Sequence, residues 1–465
     1  MAKHHRGRFF IVDHLPIELS SAVFVECVSH QFISPFTLAA VSQRWREIAW
    51  TTPGIWTFLP IFVRKRLTPM RVDFIAEWLS RSGSLPLSIL CNVFYPIDTN
   101  EDLSQMYRLI DIINRHSNHW YSLELSMPSS LLIRFNDTLN VSSTLHQLSL
   151  RPTIPDALGS TLSLSRIAPQ VVLIRNGIQF DTRGLNFNCV TDLSMDYVPE
   201  NRLTTILEST PNLRKCRFAI VEPSSPNQGP IIRISHARLE SLQIEFLIPT
   251  SGEDFFNNVD LPNLQHLAVK RVEFDADALP YFLSRSAYRL KSFECNEEDF
   301  DSDDLIRVLK LMPSLELLII SQGDAEGGHL QDFYSALHAH LPPRTRTTHI
   351  PRLTAPLLPS LRAFKWSGKG SFPWGVIPSF LVPISARDSH PRPLENIQVS
   401  YEREEGQSIP YLSKKDITQL EKFRDKIKLS CTVLYRMDNG LFYEEDLLKL
   451  SQNRLVENKN LEEHK

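Results

Sequence analysis

The chain has 465 residues, 42% of them apolar, a formal net charge of -3 and a sequence pI of about 6.6. That apolar share fills a substantial core and excludes a disordered chain, and the length suits two or three ordinary domains or one small domain with a repeat array. A charge so near neutral gives no general attraction to phosphate backbones or anionic surfaces, so neither nucleic acid nor a membrane is expected as a partner. The six cysteines, Cys27, Cys91, Cys189, Cys216, Cys295 and Cys431, lie too far apart for a zinc knuckle or a redox motif and read as reduced, mostly buried thiols. No apolar run approaches the roughly 20 residues of a membrane span. The four residues Phe9 to Val12 are too few for a signal-peptide core. The expected location is cytoplasmic or nuclear.

Residues 13–56 read as three short helices packed together. Pro16 opens the first where a missing N–H costs nothing, and Leu15, Leu19, Val23 and Cys27 follow four apart, with Phe24 beside them, as one apolar stripe. Ser34-Pro35 is a second start signal; after it Leu38, Val41, Trp45 and Ile48 step by three, four and three along a single face. The run Trp50 to Gly54, WTTPG, stops this helix. Three helices in about 45 residues bury little surface, so such a unit wants a partner.

These residues resemble the F-box found in fungal F-box-like proteins. The family pattern is Leu-Pro-x-Glu-Leu, a hydrophobic pair, and a Val-x-x-x-Trp helix ending near Pro-x-x-Trp. Leu15, Pro16, Glu18, Leu19, Phe24, Val41, Trp45, Pro53 and Trp56 match it, while Ser42 stands where cysteine is frequent. The resemblance covers about a tenth of the chain. It implies docking on the Skp adaptor of an SCF ubiquitin ligase and, through it, on a cullin. Leu15 and Pro16 would be inserted at that contact, with Leu19, Phe24, Pro35, Leu38, Val41 and Trp45 completing the adaptor-binding set.

An amphipathic stretch from Leu103 to Ser117 follows, and then a Leu-x-x-Leu-x-Leu pattern recurs. Its first positions are Trp120, Leu145, Val190, Leu213, Leu239, Leu264, Leu290, Leu315, Leu361 and Leu394, with intervals of 26, 25, 26 and 25 residues from Leu213 to Leu315. That period and core motif are those of leucine-rich repeats, in which each unit adds one strand to a parallel sheet and must stack on its neighbours. The gap between Leu145 and Val190 is expected to hide a poor repeat near Val171 to Ile174. Helical returns are expected at 203–209, 277–286 and 303–313, where proline or a polar turn closes the helix ahead of the next strand. An ordinary α/β domain with parallel strands has the same alternation of elements but not the regular period.

The expected fold class is therefore α/β: a small three-helix F-box over 11–60, a helical connector over 61–118, and an irregular leucine-rich-repeat solenoid over 119–402, with parallel strands and helical returns. A cap over 403–451, built on the stripe Ile417, Leu420, Phe423 and Ile427 and a short strand from Cys431 to Tyr435, and a charged tail over 452–465 complete it.

Within each strand the leucines point to the core and the residues between them outward. This makes Gln147, Ser149, Lys215, Arg217, Ser241, Gln243, Glu245, His266, Lys270, Ser292, Glu294, Ala363 and Lys365 candidates for holding a target, with Lys215, Arg217, Gln243, Glu245, His266, Lys270 and Lys365 the favoured set. The target itself is an unknown protein. The 46-residue interval from Leu315 to Leu361 reads as an insertion over 321–359, either a target-contacting loop or a tolerated one. The acidic run Glu297 to Asp304 reads as the start of a helix rather than a metal site.

No catalytic arrangement emerges. The run SGKGS at 367–371 lacks the upstream glycine and the Lys-Ser/Thr ending of a phosphate loop and reads as a turn. His338 and His340 have no ligand partner at metal spacing. The expectation is a non-enzymatic binder with no cofactor and no metal, acting by proximity and orientation. A non-proteolytic scaffold that binds the adaptor without a cullin fits the same residues. An enzyme would need titratable groups clustered in a pocket.

Overall fold

The computed structural model describes residues 15–29, 33–94, 100–135, 144–153, 169–175, 187–223, 233–274, 277–322, 357–370, 372–380, 392–404, 406–423, 425–436 and 442–463. His338 and His340 lie outside these residues, as does most of the expected 321–359 insertion. The chain divides into two compact units, Met1–Tyr197 and Val198–Lys465.

The first unit opens with the expected helices, α1 (Ile17–Ser29), α2 (Pro35–Ala39) and α3 (Gln43–Thr51), and a 3-10 turn at Pro53–Trp56. The single face expected from Leu38 to Ile48 is divided between α2 and α3. Ser42 takes an extended conformation and its hydroxyl accepts the Trp45 N–H, so it starts a new helix instead of continuing the old one. Gly54 in the closing turn lies against α1, where a Cβ would stand 2.8 Å from Val25 Cγ2.

Six strands follow: β1 (Phe58–Val63), β2 (Leu87–Val93), β3 (Trp120–Met127), β4 (Gln147–Pro152), β5 (Val171–Ile174) and β6 (Asp192–Asp196). They pair in chain order, all parallel. Helices α4 (Pro69–Arg81), α5 (Asn100–Arg115) and α6 (Ser129–Leu132) connect the first of them. The strand expected near Val171 is present as β5. The stretch 61–118, expected as a helical connector, carries half of β1 and all of β2 besides α4 and α5, so the strand series starts at Phe58.

The second unit continues the α/β alternation. It contains α7 (Glu200–Ser209), β7 (Lys215–Val221), β8 (Ile234–Ser235), β9 (Ser241–Thr250), α8 (Glu253–Phe256), β10 (Val259–Asp260), β11 (His266–Val272), α9 (Ala278–Ser286), β12 (Ser292–Asn296), α10 (Ser302–Leu309), β13 (Leu317–Ser321), β14 (Ala363–Gly368), β15 (Asn396–Glu404), β16 (Lys428–Arg436) and β17 (Phe442–Asp446). Its sheet runs β7-β9-β11-β12-β13-β14-β15-β16-β17 and is parallel until β17, which pairs antiparallel with β16. The short β8 and β10 pair with each other. All three expected helical returns are present as α7, α9 and α10, and Asp301 in the acidic run caps α10 by accepting the Asp304 N–H.

The leucines explain this register. All ten first positions, from Trp120 to Leu394, are buried. From Leu239 to Leu394 the residue after each donates its N–H to its counterpart one strand back: Glu240 to Arg214 at 2.9 Å, and Gln265 to Glu240, Lys291 to Gln265 and Glu316 to Lys291 at 2.8 Å. The following residue donates to the same carbonyl, as Ser241 does to Arg214 at 3.0 Å and His266 to Glu240 at 3.0 Å. Both lone pairs of each carbonyl are thus used, and each new strand takes its position from the last. Seven residues after their first positions, Tyr197, Ile220 and Arg271 all have positive φ, of 59, 56 and 58°. At two of them the ladder shifts register, between Phe218 and Val221 and between Lys270 and Val272. These are bulges that end the regular pairing.

The C-terminal part differs from the expected cap and tail. Strand β16 extends the parallel array, and the antiparallel β17 is the element that ends it. A helix then runs Leu447–Glu463 through the residues expected as a tail, with Leu447 and Ser451 buried and the Ser451 hydroxyl accepting the Leu412 N–H at 3.0 Å. Of the SGKGS run, Ser367 and Gly368 end β14, Lys369 and Gly370 bend away from it with the Gly370 N–H donating to Gln322 Oε1 at 2.9 Å, and Ser371 lies outside the described residues.

Candidate functional site

Two surfaces carry the residues singled out by sequence. On the helical module, periodicity identified which residues share a face but not which way the face points. Ser20, Phe24 and Val28 turn inward, and Phe24 packs on Trp45 with ring centroids 4.9 Å apart. The stripe expected to share a face with Phe24 turns outward: Leu19 is 54% and Val23 51% exposed. Ile17, which the four-residue spacing passed over, is 57% exposed, and Val41, just before the Ser42 cap, is 59% exposed.

Of the eight expected adaptor-contact residues, Pro16, Leu19 and Val41 are exposed and Leu15 and Trp45 half-buried. Phe24, Pro35 and Leu38 are buried, which makes them supports of the fold and not contact residues. The Arg44 guanidinium donates to the Leu15 carbonyl at 2.6 Å, tying the start of α3 to the start of α1. This brings Val41, three residues before Arg44, to the end of the module that carries Leu15 and Pro16. Apolar side chains held half out of water on a small helical unit form a surface that gains from being covered.

The second surface is the sheet face of the second unit that alternation turns away from the core. Lys215, Ser241, His266, Ser292, Leu317, Ala363, Asn396 and Lys428 stand side by side across eight strands. A second registered row holds Arg217, Gln243, Ala268, Glu294, Ile319, Lys365, Gln398 and Ser430. In the third, Glu245 faces Lys270, and Asn296, Ser321, Ser367, Ser400 and Thr432 line up in turn.

All seven favoured target residues therefore lie on one face. Lys215 and His266 are exposed, and the other five are partly so. Gln147 and Ser149 stand on β4 of the first unit. Lys270 Nζ pairs with Glu294 Oε1 at 3.1 Å, and the Arg271 guanidinium with Glu245 at 3.2 Å. The Arg271 N–H donates to the Asp299 carboxylate at 2.8 Å, yet burial outweighs that bond and pushes Asp299 up to about 6.

Glu200, which the sequence reading passed over, is buried at the first turn of α7 and accepts the Phe255 N–H at 3.2 Å. Burial, reinforced by the nearby Asp254 carboxylate, pushes it up to about 7. Its place is a capping one, at the start of the short α8. Among the described residues no group of three His, Cys, Asp or Glu side chains is arranged to hold a metal ion, and no helix is long and apolar enough to cross a membrane. No protein-family model matches the chain, and no curated protein matches it significantly in sequence.

Proposed function

We propose that this chain is a non-catalytic recruiting subunit of an SCF-type ubiquitin ligase. Its N-terminal helices act as an F-box on a Skp adaptor, and through it a cullin, while leucine-rich repeats hold a target protein. The observation that carries the reading is the outward pair Leu19 and Val23 on one face of α1, with Val41, exposed on a module whose spacing resembles an F-box. Were the stripe only core, these side chains would be buried. The approximately 25-residue period and its parallel strands support the repeat reading. Catalysis would then consist of bringing a target lysine near a charged conjugating enzyme, which is proximity and not bond-making.

The test is co-expression with a Skp adaptor and a cullin, comparing wild type with a Leu19→Asp/Val41→Asp variant. Both side chains are exposed, so the variant is expected to fold and to keep the wild-type melting temperature. Capture of adaptor and cullin by the wild type, with loss of both by the variant, supports the reading. Capture of the adaptor without the cullin points to a scaffold instead. If folded wild type takes neither, the F-box assignment fails.

A further inference from the structure

The first strand of the first unit and the last parallel strand of the second treat their open sides differently. At β1 the Ser88 N–H donates to the Thr57 carbonyl at 2.8 Å, so by alternation Phe58, Pro60 and Phe62 aim their main-chain groups away from β2. Pro60 has no N–H to offer there, and the Phe62 carbonyl already accepts from the Arg71 guanidinium at 2.8 Å. That edge is closed to another strand. At β16 the Lys428 N–H donates to the Glu395 carbonyl at 2.8 Å, so Leu429 and Cys431 aim their N–H and C=O groups away from β15. Strand β17 covers that side only from Thr432 to Arg436. Among the described residues no strand lies beside Lys428 to Cys431, about 13 Å of edge. A cleft of about 260 Å³ adjoins it. Leu420, Leu429, Cys431 and Leu448 make its apolar lining, Glu421, Glu444 and Asp446 its charged lining, and none of its described lining residues is basic.

We propose that this open half-edge takes one further β-strand from a partner protein, a short extended segment whose side chains alternate apolar and basic. Its main chain pairs with the N–H and C=O groups of Leu429 and Cys431, which gives the affinity of strand addition. Its apolar side chains fall on the core side, against Leu420, Leu429 and Leu448. Its basic ones fall on the opposite side, where register places Asp446 beside Thr432 and Glu444 beside Leu434, at the end of the edge away from Lys428. An acidic segment would bring like charge to Glu421, Glu444 and Asp446 in a cleft whose lining has no cation to offset it. The inference goes beyond the recruiting role proposed above and does not depend on it.

The experiment measures, by anisotropy on full-length protein, a short labelled peptide of alternating lysine and valine. Its controls are the glutamate-valine counterpart and two main-chain N-methylated versions, one methylated on the valines and one on the lysines. The lysine-valine peptide is expected to bind saturably and the glutamate-valine peptide at least tenfold more weakly. One N-methylated version is expected to lose binding at least tenfold, the valine version for antiparallel addition and the lysine version for parallel, because only alternate N–H groups face β16. Glu444→Lys, at an exposed position, should weaken binding at an unchanged melting temperature, and the peptide should raise hydrogen-exchange protection within 428–431. The proposal is overturned by no saturable binding of the lysine-valine peptide, by equal binding of the glutamate-valine peptide, by binding that survives both methylations, or by protection that leaves 428–431 unchanged. The Leu19→Asp/Val41→Asp variant is expected to bind the peptide like wild type, so that failure of adaptor docking and failure of this edge remain separate results.

Discussion

The indole N–H of Trp78 on α4 donates to the main-chain carbonyl of Trp56 at 3.0 Å. Trp56 in turn donates its own indole N–H to the Ala49 carbonyl on α3 at 2.9 Å. Around this relay Trp50 stacks on Trp56 at 5.1 Å, Phe36 of α2 packs on Trp78 at 5.4 Å, and the Arg81 guanidinium sits 4.5 Å from the centre of the Trp50 ring. The helical module is thus bonded to the first strand-helix-strand segment rather than joined by a loose linker. Trp78→Ala is expected to destabilise the first unit by about 3–5 kcal/mol, and Trp78→Phe by about 1 kcal/mol through loss of the N–H donor alone. Hydrogen exchange should show α1 to α3 losing protection in Trp78→Ala. Retained protection there would mean that the module stands by itself.

Glu200 supplies a pH dependence of definite sign. Its folded carboxyl is raised from 4.5 to about 7 by burial and by Asp254, so the folded state holds a proton that the unfolded chain releases. The associated stability is fully present below pH 4.5 and is lost as pH rises to about 7. The Tm difference between Glu200→Gln and wild type should therefore be small at pH 5 and grow toward pH 7.5, with the variant the more stable. A gain of about 1 kcal/mol would correspond to roughly 2–4 °C. Thermal unfolding at both pH values measures it, and a pH-independent difference would contradict the assignment.

Much of the second unit could be read before any coordinate, because a buried leucine every 25 or 26 residues from Leu213 to Leu315 leaves a clear period; in the first unit the spacing pointed to the strand at Val171 despite its poor local match. The strands β1 and β2 escaped because Phe58–Val63 contains Pro60 and neither segment has the Leu-x-x-Leu-x-Leu spacing. The break between α2 and α3 was hidden by arithmetic: steps of three, four and three stay in phase across an interruption, and only the hydroxyl of Ser42 marks it. On the helical module, spacing grouped Leu19 with Val23 and could not say that solvent lay on their side.

The end of β14 depends on its last residue, Gly368. A Cβ on Gly368 would lie 2.6 Å from the Cβ of Gln322, an atom with no freedom to swing aside. Gly368→Ala is expected to cost about 1–3 kcal/mol in denaturant unfolding. Adding Gln322→Ala should not rescue it, since the colliding atom remains, whereas Gln322→Gly should.

Ile220, a β-branched residue at φ 56°, sits in a conformation unfavourable for L-residues by roughly 1–2 kcal/mol. Ile220→Gly relieves that strain at a half-buried position and is expected to be neutral or to stabilise by up to about 1 kcal/mol. Ile220→Val keeps the strain and should show no gain. A marked loss in the glycine variant would show that the side chain, not the backbone, governs the bulge.

The direct pairing of Leu317 with Ala363 has a wider meaning. An interval of 46 residues between Leu315 and Leu361 delivers its strand to the same register as intervals of 25, because position is handed from neighbour to neighbour and not measured along the chain. Doubling a loop adds only about 0.6 kcal/mol of closure entropy. Length between strands is therefore nearly free to drift, and such an array can acquire whole new segments by insertion while every older strand keeps its address.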